Sequence, residues 1–208
     1  MVPWILDVKS GNIRLDLDGG YPNGHNPLDS HGISGFVAEI PTELVPFRLD
    51  IVKAPKPLPE FASYLYNDIY VGETARGLIE ELEPSVHRFY ETIVTRNGNQ
   101  VTGASYYRFR LGQENILSDA LVVDSSDVVE QELASKLPDG SVVRSSVLLP
   151  KARPTRLTWR RSIVLSRHLW VDSRLGTFLI ASDELYSAFR SAGITGFNAQ
   201  ECRFFENA

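Results

Sequence analysis

The residues of this sequence best suited to chemistry are its four histidines, and two of them lie in a turn-forming segment. His25 and His31 flank Asp29 within a stretch rich in Gly, Pro and Asn. Two imidazoles and a carboxylate are groups that can bind a metal ion. Histidines in such turn-forming sequence are more often exposed to solvent without a ligand. We therefore predict no metal site and no other cofactor.

The other two histidines, His87 and His168, lie in segments of strand-like composition. Either ring could act as a general acid or base, but no serine or cysteine motif nearby supplies a nucleophile. For both we favour a structural role, with a partly buried ring hydrogen-bonded to the backbone. No catalytic residue is predicted. An enzyme built from the N-terminal loop with His87 or His168 stays open as an alternative, because catalytic groups can converge from distant positions.

Two stretches of the chain, residues 68–94 and 178–204, share one pattern. Each has a short apolar run, an acidic helix start, a set of apolar residues at positions i, i+3, i+4 and i+7, and a β-rich end. The apolar sets are Ala75, Leu78, Ile79 and Leu82, and Leu185, Ala188, Phe189 and Ala192. This spacing predicts one apolar face of a helix. We predict two strand–helix–strand units, related by an internal repeat, that share one core.

The rest of the sequence predicts an α+β fold that is rich in β-structure and has few helices. Pro55, Pro57 and Pro59 favour extended backbone and suggest a boundary between an N-terminal β-rich segment, residues 1–58, and a repeat-bearing domain, residues 59–208. The sequence is also compatible with a single compact domain that includes both segments. Further strands are predicted at 4–8, 13–17, 35–40, 47–52, 103–111, 120–123, 142–149, 157–166 and 168–171, and a further helix at 126–137. Ser182 and Gly193 are predicted to cap the last helix.

Length and composition indicate a folded protein of the reducing cytoplasm. A chain of 208 residues, of which 43% are hydrophobic, can bury a substantial core. Its single cysteine, Cys202, cannot form an internal disulfide. The sequence shows no signal peptide and no candidate membrane span. We expect a cytoplasmic protein with no membrane partner.

Three carboxylates stand near the end of the first predicted helix. Glu80, Glu81 and Glu83 lie where negative charge opposes the helix dipole. The simpler interpretation is a solvated face on which Glu80 pairs with Arg76. The alternative is contact with a basic partner.

A second set of carboxylates lies within residues 112–143, and residues 144–174 are rich in arginine. Either these two blocks screen each other at the surface, or the first is an acidic face for a basic partner. The net charge is −5 and the basic block holds no recognised motif, so no nucleic-acid site is expected. The predicted partner-binding residues are Glu80, Glu81, Glu83, Asp119, Asp124 and Asp127.

The phrases ARGLIEELEPSVHRF, residues 75–89, and HLWVDSRLGTFLIASDELYSAFRSAGITGF, residues 168–197, resemble the two signature blocks of a bacterial family. That family is immunity family eleven of polymorphic toxin systems, formerly a domain of unknown function. The chain departs from the family pattern at Gly72, where a serine helix cap is expected, and at Val171, where a charged residue is frequent.

The resemblance implies a non-catalytic antitoxin that binds and neutralises a cognate toxin, with the toxin encoded by a neighbouring gene. An acidic surface would suit a toxin that is basic because it acts on nucleic acid. A small-ligand-binding regulatory module is a further alternative, and fold alone would not separate these functions.

Overall fold

The computed structural model describes residues 2–8, 13–14, 47–51, 58–64, 68–96, 99–101, 105–136, 140–151, 155–175 and 178–205. The candidate metal ligands His25, Asp29 and His31 lie outside these residues, as does the strand predicted at 35–40. The proposed boundary after residue 58 is not tested by the structure and stays a prediction.

The described residues form an α+β structure in which strands outnumber helices. The helices are α1 (Glu73–Leu82), α2 (Arg161–Val164) and α3 (Asp183–Ser191). The strands are β1 (Trp4–Val8), β2 (Ile13–Arg14), β3 (Phe47–Ile51), β4 (Phe61–Tyr64), β5 (Asp68–Gly72), β6 (Arg88–Arg96), β7 (Asn99–Gln100), β8 (Tyr106–Arg110), β9 (Ile116–Leu117), β10 (Val128–Lys136), β11 (Val142–Pro150), β12 (Thr158–Arg160), β13 (Leu169–Asp172), β14 (Leu179–Ala181), β15 (Phe197–Glu201) and β16 (Arg203–Phe205).

Most strands belong to two sheets. The seven-stranded sheet has the order β2-β3-β6-β8-β5-β4, with β7 paired to β6, and the five-stranded sheet has the order β15-β1-β14-β13-β9. Both predicted helices of the two sequence stretches are present, each between two strands of one sheet. In each unit an antiparallel strand lies between those two strands: β8 in the first and β1 in the second. That one unit is a repeat of the other stays a prediction.

The two units share one apolar core, as predicted. Ala75 and Ile79 of α1 pack in the same cluster as Leu185 and Phe189 of α3. Side chains of a strand point alternately to its two faces, and the five-stranded sheet buries both. Ile180 contributes to a second cluster around Trp159 and Trp170, whereas its neighbours Leu179 and Ala181 face the first. Among the described residues, the five-stranded sheet is therefore the layer between the two core clusters.

The caps of α3 are as predicted, and the start of α1 explains one departure from the family pattern. Ser182 Oγ accepts a hydrogen bond from Leu185 N at 3.1 Å, and Gly193 has a φ of +68°. At α1 the residue in the N-cap position, Gly72, has no side chain, and the carboxylate of Glu60 accepts from Ala75 N at 3.0 Å instead. A Cβ at residue 72 would collide with that carboxylate, so glycine leaves room for a cap supplied from outside the helix.

The helix predicted at 126–137 is wrong, because residues 128–136 of this segment form strand β10, which pairs along its length with β11. Its charged and small residues have helical composition, but cross-strand pairing in the fold overrides that local preference. The strand predicted at 120–123 is also wrong: it is reduced to a single bridge between Leu121 and Trp159, and a 3-10 helix starts at Val123. The strand predicted at 157–166 ends at Arg160, and α2 begins at the next residue.

Replacing Phe189 by alanine tests the shared core. The Phe189 ring is fully buried and lies edge-on to Phe61, with centroids 5.3 Å apart. We expect Phe189→Ala to lower the free energy of unfolding by about 3–5 kcal/mol, measured by urea denaturation. Phe205→Ala is the control, since that ring is 37% exposed, and should cost about 1 kcal/mol or less. Equal midpoints for Phe189→Ala and the unmodified chain would contradict this packing.

Candidate functional site

Glu83 and His87, two of the residues that the sequence singled out, meet in one buried polar cluster at the end of α1. Glu83 follows the last helical residue, and its backbone N–H donates to Ile79 O at 2.9 Å. The positive φ of Ser85, 63°, marks the tight turn that follows. The turn directs the chain toward β6 and places His87 beside the Glu83 carboxylate.

Glu83 is buried and accepts four hydrogen bonds. Its Oε2 accepts from His87 Nε2 at 2.7 Å and from Leu169 N at 3.0 Å. Its Oε1 accepts from Asn115 Nδ2 and from His168 N, both at 2.9 Å. Burial raises the pKa of Glu83, but the bonds from His87, His168 and Asn115 together hold the pKa below its usual value. The carboxylate is therefore ionised in the folded chain at neutral pH.

The ring of His87 is bonded at both nitrogens. Gly112 N donates to His87 Nδ1 at 3.1 Å, so Nδ1 carries no proton and Nε2–H is the donor to Glu83. The buried ring also packs against Phe109, with centroids 5.3 Å apart. The predicted structural role with a backbone partner is confirmed. The ring has a second partner, the carboxylate of Glu83, which the sequence analysis places at the surface.

His168 has a different environment. Its Nδ1 lies 2.9 Å from Ser182 Oγ, which also caps α3, and 3.9 Å from Glu184 Oε2. The prediction that this ring bonds the backbone is therefore wrong, because its partner is the side-chain hydroxyl of Ser182. Its backbone N–H joins the Glu83 cluster. Among the described residues no three His, Cys, Asp or Glu side chains are arranged to hold a metal ion.

The helix-end carboxylates separate into three environments. Glu80 pairs with Arg76 at 3.0 Å, and the Arg76 guanidinium lies over the Tyr107 ring, 4.4 Å from its centroid. Glu81 is exposed, whereas Glu83 is only 6% exposed and belongs to the interior. The i, i+4 pair expected for Glu80 is present, and burial removes Glu83 from the surface available to a partner.

The acidic and basic blocks of the sequence lie against one another. Asp127 pairs with Arg156 at 2.7 Å and Glu132 with Arg144 at 3.3 Å. The hydrogen bonds from Arg156 lower the pKa of Asp127. Asp119 and Asp124 are exposed. This geometry favours the interpretation in which the two blocks screen each other.

Sequence reasoning did not identify Gly112, Asn115 or Leu169 as members of the buried cluster. Asn115 and Gly112 carry no motif, and both are distant in sequence from the residues that they bind. The signal for Glu83 was present, because a carboxylate at a helix end needs a compensating interaction. That interaction lies inside the protein.

A comparison with protein families finds a match over most of the chain. The model of the Immunity protein family (Imm11) matches residues 26–203, a span that contains both sequence blocks and confirms the family that they indicated. No curated protein matches the chain. No helix among the described residues is long and apolar enough to cross a membrane.

Replacing Glu83 by glutamine should destabilise the protein in a pH-dependent way. In glutamine an NH2 group replaces one carboxylate oxygen, so at least one N–H donor of the cluster loses its acceptor. This loss should cost about 1–3 kcal/mol of unfolding free energy. The folded pKa lies below the ordinary value of 4.5, so the stabilisation is complete above that value and is lost as pH falls through the folded pKa. Urea denaturation of the unmodified protein and of Glu83→Gln is measured across pH. The difference between their free energies of unfolding should be constant near neutral pH and should decrease below about pH 4.5.

Glu81→Gln is the matched control, because Glu81 is an exposed glutamate at the same helix end. It should change the free energy of unfolding by no more than about 0.5 kcal/mol. Equal, pH-independent effects of the two substitutions would show that the Glu83 carboxylate does not stabilise the fold in this way.

Proposed function

The chain belongs to the Imm11 immunity protein family, and from that premise we propose that it binds a cognate toxin protein and neutralises it without catalysis. The toxin belongs to a bacterial polymorphic toxin system and is encoded by a neighbouring gene. Neutralisation takes place in the cytoplasm of the producing cell. The family match over residues 26–203 is the observation that carries this proposal.

The environment of the two candidate histidines supports binding over catalysis. His87 is buried and bonded at both ring nitrogens, so its ring is poorly placed to exchange a proton with a substrate. The His168 ring bonds a residue whose hydroxyl already caps α3. Both interactions stabilise the fold, which is the role that a binding scaffold needs.

We carry the acidic contact residues forward as part of the proposal, without Glu83. Glu81, Asp119 and Asp124 are exposed to solvent, and Glu80 and Asp127 keep part of their surface in solvent although arginines pair with them. These five carboxylates would steer a basic toxin surface toward the protein. We also retain the repeat relation between the two strand–helix–strand units, which the insertion of one antiparallel strand into each unit supports.

Stoichiometry tests the proposed function. The purified protein is titrated against the C-terminal toxin domain encoded next to its gene, with residual toxin activity as the readout. Neutralisation by binding should be complete at equimolar protein and leave the toxin covalently unchanged. Protection at far lower ratios, with a modified toxin detected by mass spectrometry, would contradict binding as the mechanism.

The histidine alternative is tested by His168→Asn, which keeps a side-chain amide for Ser182. We expect this variant to protect cells against the toxin as well as the unmodified protein does, because most single changes outside an interface hot spot are tolerated. A folded His168→Asn protein that binds toxin but fails to protect would favour the enzyme.

Charge reversal tests the acidic contacts. Two double variants, Glu80→Lys with Glu81→Lys and Asp119→Lys with Asp124→Lys, are compared in stopped-flow association with the toxin domain across a salt series. Charge complementarity mainly raises the association rate, and salt screens it beyond about 8 Å at physiological ionic strength. At least one double variant should associate more slowly and show a flatter salt dependence. Rates identical to the unmodified protein at every salt concentration, in both variants, would exclude these carboxylates as steering groups.

A further inference from the structure

The β10–β11 hairpin is a two-stranded ribbon that is anchored in the core at one end. Its two strands pair in register from Val128 opposite Pro150 to Lys136 opposite Val142, and within the described residues they form a sheet of their own. The base is held firmly: Val128 and Leu148 are buried in the second core cluster. Beyond this base, side chains on both faces of the ribbon are exposed.

The two faces of the hairpin differ in chemistry. Residues that lie directly opposite in an antiparallel pair point to the same face, and successive residues alternate. One face carries Glu130 and Glu132 of β10, and these are bonded to Ser146 and Arg144 of β11. The other, here called the aliphatic face, is formed by Val129, Leu133, Val143, Val147 and Leu149.

The aliphatic face is exposed to solvent. Its side chains include Val129 at 48%, Leu133 at 41%, Val143 at 48% and Leu149 at 42% exposure. The other residues of this face whose side chains the structure describes, Gln131 and Ser145, are uncharged. A face made for solvent would carry charges, as the opposite face does. Contiguous exposed apolar side chains of this kind mark interaction surfaces.

We propose that the aliphatic face of this hairpin is a principal contact with the toxin, and that it enters an uncharged, apolar groove on that toxin. This inference rests on the proposed function. The ribbon is narrow and its described side chains past the base are exposed on both faces, and a face without charges can be covered without the cost of desolvating ions. The toxin surface that covers the aliphatic face should therefore also be uncharged and apolar.

A second copy of the chain is a poorer occupant of this face. A standard interface buries about 800 Å² on each partner, and five partly exposed aliphatic side chains on a narrow ribbon fall well short of that area. A toxin that covers the hairpin can also reach surface beyond it, including the exposed carboxylates. The hairpin is then one part of a larger interface.

The test compares two double variants that differ only in the face they alter. Leu133→Thr with Val143→Thr changes the aliphatic face, and Ala134→Thr with Val142→Thr changes the opposite face one residue along each strand. Val142 is even more exposed, at 58%, so it controls for loss of apolar surface. Threonine keeps the strand preference of valine. Thermal unfolding first establishes that both variants fold.

Binding to the inactivated toxin domain is then measured for the full-length proteins by surface-based kinetics. The aliphatic-face variant should bind at least about tenfold more weakly, mainly through faster dissociation, because threonine hydroxyls would be buried against an apolar wall. The opposite-face variant should stay within about twofold of the unmodified protein. Hydrogen exchange of residues 129–134 and 142–147 should slow in the complex.

The outcomes separate this inference from the proposed function. If the unmodified protein binds the toxin and the aliphatic-face variant binds equally well, the hairpin contact is overturned while neutralisation by binding stands. Equal weakening by both variants also overturns it. If the unmodified protein alone elutes as a dimer that the aliphatic-face variant abolishes, a second copy covers this face. Absence of toxin binding by the unmodified protein removes both proposals.

Discussion

The buried carboxylate of Glu83 is the interaction on which the arrangement of the two sheets depends. Through His87 it holds the start of β6 in the seven-stranded sheet, and through the N–H groups of His168 and Leu169 it holds β13 in the five-stranded sheet. The apolar core between the sheets is attractive in every direction and does not by itself select one alignment. The Glu83 carboxylate must keep four donors within hydrogen-bond distance, and this requirement selects one alignment of the two sheets. The end of α1 is therefore a joint between the layers.

Local sequence predicted what local physics determines. The apolar spacing of α1 and α3, the serine cap of α3 and the left-handed glycine after it all depend on neighbours within a few residues, and all are present. The Glu83 cluster depends instead on residues that lie 32 and 85 positions away, Asn115 and His168. A helix-end glutamate signals that some partner exists. The identity of that partner requires the fold, because the sequence alone is equally compatible with a carboxylate at the surface.

The β10–β11 hairpin shows the opposite limit of sequence reasoning. Strands with one buried face alternate in polarity, and that alternation identifies them. Past its base this ribbon buries neither face, so charged, small and apolar residues follow one another in a pattern that helical composition satisfies equally well. The pairing of β10 with β11 determines the structure of this segment. An ambiguous polarity pattern, in a chain whose other elements have clear periodicity, indicates that packing in the core does not determine which residues lie on this surface.

The scaffold and the proposed contact surfaces are thus under separate constraints. Residues of the two core clusters and the Glu83 network are buried and mutually dependent, so substitutions there change stability. The side chains of Glu81, Asp119 and Asp124 and most of those on the aliphatic face of the hairpin are exposed, so substitutions there leave the fold almost unchanged. Charges in solvent govern mainly the rate of encounter, whereas apolar contacts govern the lifetime of a complex. A protein built in this way can change the partner that it recognises by altering surface residues alone, because neither surface shares a residue with the network that holds its sheets together.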